Sequence, residues 1–129
     1  MRDYQATKNN PYLLPDTLYR RIIMLVRDYE RLKEQYHDIL YESPPPPDGM
    51  PRGMRKTDQV ERKALRRAVI STELQAVEQA LVVVPDEYRR GIWENIAYEI
   101  RYPDFTGVRT YQRWKQRFLY CIAYNLNLI

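Results

Sequence analysis

Four consecutive prolines set the first limit on how this chain can fold. They sit in the stretch Ser43-Pro-Pro-Pro-Pro-Asp-Gly-Met-Pro-Arg-Gly53, which holds five of the nine prolines and two of the four glycines. A proline has no amide donor and a fixed φ, so neither a helix interior nor a central strand can run through four of them. The tetrad predicts a stiff polyproline II segment of about 3.1 Å per residue, and Asp48-Gly49 reads as a turn after it. The chain is thereby divided into an N-terminal helical arm at 1–42, a Pro/Gly-rich linker at 43–57 and a helical domain at 58–129. Such a linker suits two helices that must meet at a fixed distance. The same composition also serves as a ligand for aromatic grooves.

On either side of the linker the apolar residues recur at helical spacing. Leu18, Ile22, Leu25, Tyr29, Leu32, Tyr36 and Ile39 repeat every three or four positions, with Asp16 or Thr17 available to cap a helix behind Pro15. Asp58-Gln-Val-Glu61 resembles a capping box and predicts the start of a second helix, whose later half carries Ile70, Leu74, Val77, Leu81 and Val84. Pro85 ends that helix, and Asp86 and Glu87 suit the positive start of a third. The third helix has Tyr88, Ile92, Trp93, Ile96 and Ala97 on one side and fades before Tyr102-Pro103-Asp104. A fourth follows. No stretch alternates as a strand does, so the expectation is an all-α fold of four helices near 17–41, 58–84, 86–99 and 108–126. Trp93, Ile96, Trp114, Phe118 and Ile122 should form the heart of the C-terminal half, with Leu74, Val77 and Leu81 against them.

The fourth helical stretch carries the chemistry. In VRTYQRWKQRFLYCIAYNL (108–126), Tyr111, Trp114, Phe118, Cys121 and Ile122 share one stripe, and Arg109, Gln112, Arg113, Gln116 and Tyr120 point the other way. Arg109, Arg113, Lys115 and Arg117 are unopposed by any acid. An apolar back with an Arg/Gln front is what a major-groove reader needs, since Arg matches guanine, Gln matches adenine and both grip phosphates. An ordinary amphipathic surface helix with a basic outer face has the same pattern, and the residues alone leave the two readings open. The net charge is +4 and the pI about 9.2, which favours a polyanionic partner. Arg62, Lys63, Arg66 and Arg67 in the second helix, and Arg89 and Arg90 in the third, are candidate phosphate contacts.

Other chemistry is missing from the sequence. One His (His37) and one Cys (Cys121) make neither a metal set nor a catalytic pair, and no Gly-rich phosphate loop is present. Neither an enzyme nor a bound cofactor is expected. No run nears the roughly 18 apolar residues of a membrane span, and no apolar signal segment opens the chain, so the expectation is a cytoplasmic protein with no membrane contact.

The order of a long helix, then Val-Pro-Asp-Glu-Tyr-Arg-Arg (84–90), then Arg109-Thr110-Tyr111-Gln112-Arg113-Trp114-Lys115 resembles the phage late-gene transcriptional regulators of the RinA and ArpU type. Their C-terminal part is similar to region 4 of bacterial sigma factors, with an "LPEEYR" helix start and an "RTxxRxK" recognition helix. Arg27-Asp28-Tyr29 and Tyr36-His37-Asp38-Ile39-Leu40 look like that family's N-terminal helix. The resemblance implies a helix-turn-helix-like C-terminal bundle in a bacterial host cell. It would bind double-stranded DNA through Arg109, Thr110, Gln112, Arg113, Gln116 and Arg117, with RNA polymerase as a second partner and homo-oligomers open. One departure is plain: the sigma-like pattern has a short extra helix before the recognition helix, and here only 102–107 is available for it. Either 88–100 serves as the first helix of the pair, or the motif is degenerate. The competing expectation is a helical phage assembly protein, a packaging or scaffolding adaptor without specific DNA binding.

Overall fold

A computed structural model describes residues 5, 7, 9–41, 52–103 and 107–129. The regular elements among them are all helices: α1 (Asp16–Arg27), α2 (Tyr29–Leu40), α3 (Arg52–Val83), α4 (Asp86–Tyr98) and α5 (Val108–Asn125). The fold is all-α, with five helices where the spacing predicts four. The proline tetrad and the Asp48-Gly49 turn lie outside the described residues.

The extra helix comes from a break at Asp28 in the stretch predicted as one helix. The amide of Asp28 is shared between the carbonyls of Met24 (3.0 Å) and Leu25 (3.2 Å), and the regular ladder resumes where Leu32 N–H meets Asp28 O at 3.0 Å. Arg31 donates two bonds to the Asp28 carboxylate, at 2.6 and 2.5 Å, and these hold the carboxyl below its ordinary pKa. The reason for the break lies in the buried residues. α1 buries Tyr19, Ile22, Ile23 and Val26, whereas α2 buries Leu32 and Ile39. At 3.6 residues per turn those two sets point roughly a third of a turn apart. Breaking at Asp28 lets α1 pack on α4 and α5 while α2 packs on α3. Leu18, Leu25, Tyr29 and Tyr36 of the predicted stripe are therefore only partly buried, at the edges of the core.

The start of α3 also differs from the expectation. The helix begins at Arg52, so Asp58 lies inside it and the Asp58–Glu61 pair does not open it. Only Gly53 weakens the added turns, and a glycine costs a helix about 1 kcal/mol. Antiparallel packing of α2 on α3 is fixed by two side-chain contacts: Tyr29 OH donates to Glu78 at 2.7 Å and Arg67 Nη2 to Tyr36 OH at 3.3 Å. Beyond that contact, towards its N-terminus, α3 leaves Val60 and Leu65 two-thirds exposed.

Two apolar clusters result. The larger joins Leu14, Tyr19, Ile22, Ile23 and Val26 to Ala76, Val77, Ala80, Val84, Ile92, Ile96, Tyr111, Phe118, Leu119, Ile122 and Ala123. The smaller holds Leu32, Ile39, Ile70 and Leu74, and Leu25 and Tyr29 pack against both. Ile96, Phe118, Ile122 and Val77 are buried as predicted. Leu74 belongs to the smaller cluster instead, and Trp93 and Trp114 border the larger one without entering it.

Pro85 takes the cap position of α4, its carbonyl accepting Tyr88 N–H at 3.0 Å, and Asp86 and Glu87 occupy the first turn. α4 ends at Glu99 in the left-handed region (φ 57°). One of its last carbonyls is satisfied from α1: Arg27 Nε donates to Ile96 O at 3.0 Å, and Arg27 Nη2 also meets the Glu99 carboxylate at 3.1 Å.

Candidate nucleic-acid interface

α5 follows Gly107 with no side-chain cap and no acid in its first turn. Its inner face buries Tyr111, Phe118, Leu119, Ile122 and Ala123. Of the six residues expected to read DNA, Arg109, Gln112 and Arg113 are exposed and Thr110 is half-buried. These four cover the first two turns. The remaining two are not free to read. Gln116 is 8% exposed, and its Nε2 donates to Gln5 Oε1 (2.7 Å) and to Tyr12 O (2.9 Å). Arg117 is half-buried, its guanidinium 5.8 Å from the Tyr12 ring and 5.4 Å from the Trp114 ring. The expected outer face is thus open at its N-terminal end and covered in its middle.

The cover is the segment before α1. Gln5 clasps the backbone of Leu14, accepting its N–H at 2.9 Å and donating to its O at 2.5 Å. Leu14 itself is buried in the larger cluster. Tyr12 meets Tyr120 edge-on, with ring centroids 5.2 Å apart. Helical periodicity gives no sign of this contact, because it joins positions about a hundred residues apart.

The other basic residues divide by their partners. Arg89 turns back on α3, its Nε donating to Val84 O at 2.6 Å and its Nη2 to Val82 O at 3.0 Å, while Nη1 pairs with Asp86. It closes the C-terminus of α3. Arg90 is exposed beside Glu94, 3.0 Å away. Arg67 lies against the Tyr36 ring, 5.3 Å from its centroid, with a buried Nε. Arg62 and Arg66 are exposed and Lys63 half-buried.

The exposed cations of α3 and of α5 do not share one patch. Asn125 Nδ2 donates to Ala76 O at 3.1 Å, placing the end of α5 beside the C-terminal quarter of α3. Tyr88 and Tyr111 meet at 5.1 Å, placing its start beside α4's first turn. Arg66 is ten positions before Ala76, about 15 Å further along α3.

α4 supports the start of α5 closely. Tyr111 is enclosed by Tyr88, edge-on, and by Tyr102, stacked at 4.8 Å. A side chain at Gly91 would begin 2.6 Å from Tyr111 Cε1. One turn on, Asn95 accepts from Lys115 Nζ at 3.0 Å and donates to Ile100 O at 3.0 Å. Asn95 is buried, and sequence spacing gave no reason to single it out. Gly91 to Tyr111 and Asn95 to Lys115 are successive contacts between α4 and α5, one turn apart on each helix.

Two further features complete the surface. An open, mainly apolar groove of about 380 Å³ lies between α2, α3 and α4, floored by Val77, Leu81, Trp93 and Tyr29. Burial pushes the Cys121 thiol up from its ordinary pKa, with Arg117 opposing. Among the described residues no three His, Cys, Asp or Glu side chains are grouped to hold a metal, and no helix is long and apolar enough to cross a membrane. No family model matches the chain, and neither a curated protein nor a solved structure is detectably similar to it.

Proposed function

We propose that this protein is a DNA-binding transcriptional regulator of the phage late-gene type, using the first two turns of α5 as its contact with the duplex. The observation that carries the reading is the group Arg109, Gln112 and Arg113, all exposed on those turns, with no acid in the first turn to oppose them. Recognition helices meet base edges with their N-terminal residues, and Arg and Gln supply the bidentate donors and acceptors. Packing of Tyr111 between Tyr88 and Tyr102 positions the helix start that carries these side chains. The resemblance to RinA- and ArpU-type regulators points the same way and adds RNA polymerase as a second partner in the bacterial cytoplasm. Binding needs no cofactor and no catalysis.

The test begins with selection of preferred duplexes from a random pool, followed by affinities on the selected and scrambled sequences at two salt concentrations. Arg113→Ala should cost about 1–3 kcal/mol on the selected duplex and much less on the scrambled one. Arg66→Ala should weaken both alike, if phosphates are its partners, and reduce the salt slope by about one contact. Equal losses on both duplexes for Arg113→Ala would leave a nonspecific polyanion binder. A pool that yields no preferred sequence and no binding at low salt would favour the second reading, an assembly or adaptor protein. That reading has its own support in the exposed Val60, Leu65 and Val69 of α3.

A further inference from the structure

We propose that the segment before α1 is a displaceable strap over the middle of α5, and that its release extends and strengthens duplex binding. The inference rests on the DNA-binding reading above and adds how that site is controlled. The strap joins α5 through polar atoms and ring edges: Gln116 Nε2 to Gln5 Oε1 and Tyr12 O, Tyr12 against Tyr120, and Arg117 over the Tyr12 ring.

What lies beneath the strap argues for displacement. A segment that belongs permanently to a core covers apolar surface, because that surface is what water penalises. Here the covered side chains are Gln116, Arg117 and Tyr120, each able to bond water when uncovered. Release uncovers on α5 two polar side chains and one tyrosine ring, which already borders the larger cluster. The anchor is Leu14 in the core with Pro15 capping α1; Gln5 links it to the cover, so lifting the strap also returns the Leu14 N–H and O that Gln5 holds to water. Asn9 adopts the left-handed region (φ 55°), where the chain turns back so that both Gln5 and Tyr12 reach Gln116.

The covered residues also continue the open ones. Gln116 and Arg117 follow Arg109, Gln112 and Arg113 at helical spacing on the same side of α5. With the strap closed a duplex meets only the first two turns. With it lifted the face gains another turn, holding an amide suited to adenine and a cation suited to a phosphate. Strap and duplex compete for one surface, so the closed fraction lowers the apparent affinity by the population it removes.

The experiment compares the full chain with its Gln5→Ala, Tyr12→Ala double variant, on a low-salt scrambled duplex and on any selected sequence. The expected result is tighter binding by the double variant, by about fivefold or more, with an unchanged helical signal in circular dichroism. Gln116→Ala should then weaken binding in the double variant and have little effect in the otherwise unaltered chain. In the unaltered chain, hydrogen exchange at residues 9–14 should quicken when duplex is added. Equal, measurable affinities would overturn the strap and leave the DNA-binding reading standing. Slower exchange at 9–14 on adding duplex would also overturn it, by making the segment part of the contact. No binding by either protein would overturn both readings together.

Discussion

Gly91 shows how much rests on a single side chain in this molecule. A Cβ there would lie 2.6 Å from Cε1 of Tyr111, a ring that is 3% exposed and held between Tyr88 and Tyr102. It has nowhere to move. Gly91→Ala gains about 1 kcal/mol of helix propensity against an overpacking cost of about 1–3 kcal/mol. The expected outcome is a lower melting temperature and a disturbed start to α5, read by thermal melts and tyrosine fluorescence. A higher melting temperature would mean that the tyrosine sandwich is loose. Residue identity was legible in the sequence where periodicity speaks: Phe118, Ile122, Ile96 and Val77 are core residues by spacing alone. It gave no sign that Gln116, whose polar type and outward angle suggest a reader, is covered. A segment over a hundred residues earlier folds over it, and no local pattern encodes that.

Among the elements, α1 and α4 are locked by one guanidinium. Arg27 supplies Nε to the terminal carbonyl of Ile96 and Nη2 to Glu99, whose left-handed backbone closes α4. Arg27→Ala strands that carbonyl, and the loss should be about 1–2 kcal/mol in denaturant unfolding. Arg27→Lys should restore little of it, because an ammonium cannot span two acceptors as a planar fork does. An unchanged unfolding midpoint for Arg27→Ala would show that water serves Ile96 equally well. The break at Asp28 has a consequence for stability as well. Among the described residues, α2 and the facing part of α3 share a cluster of four buried side chains, whereas α5 lies in the larger one. Amides of α2 should therefore exchange through a smaller opening than those of α5, which native-state hydrogen exchange measures directly. Identical opening energies would make the two clusters one cooperative unit. The break was hidden in the sequence because one apolar stripe runs smoothly through 18–39. Only the third-of-a-turn drift between Tyr19, Ile23 and Val26 and the later Leu32 and Ile39 marks it.

For the whole molecule, the absence of alternating patterns was enough to make the fold all-α, and the turn signals at Pro85 and around Pro103 placed α4 and α5 within a residue or two. The candidate site was half legible. Arg109, Gln112 and Arg113 are exposed as their spacing implies, while Arg67 and Arg89, read as candidate phosphate contacts, are tied to Tyr36 and to the end of α3. Charge counts cannot distinguish a solvated arginine from one that closes a helix. The length of α3 has a further outcome at this scale. Its 32 residues make a rod of about 48 Å, whereas a compact chain of this size has a radius of gyration of about 14 Å. In small-angle scattering the protein should exceed that radius, with pair distances reaching at least about 48 Å. A compact profile would mean that α3 bends or breaks before it clears α2. Tumbling follows from the same rod: rotation end over end is slower than rotation about its axis. Amide vectors lying along α3 should then relax with a longer correlation time than those in helices set across it.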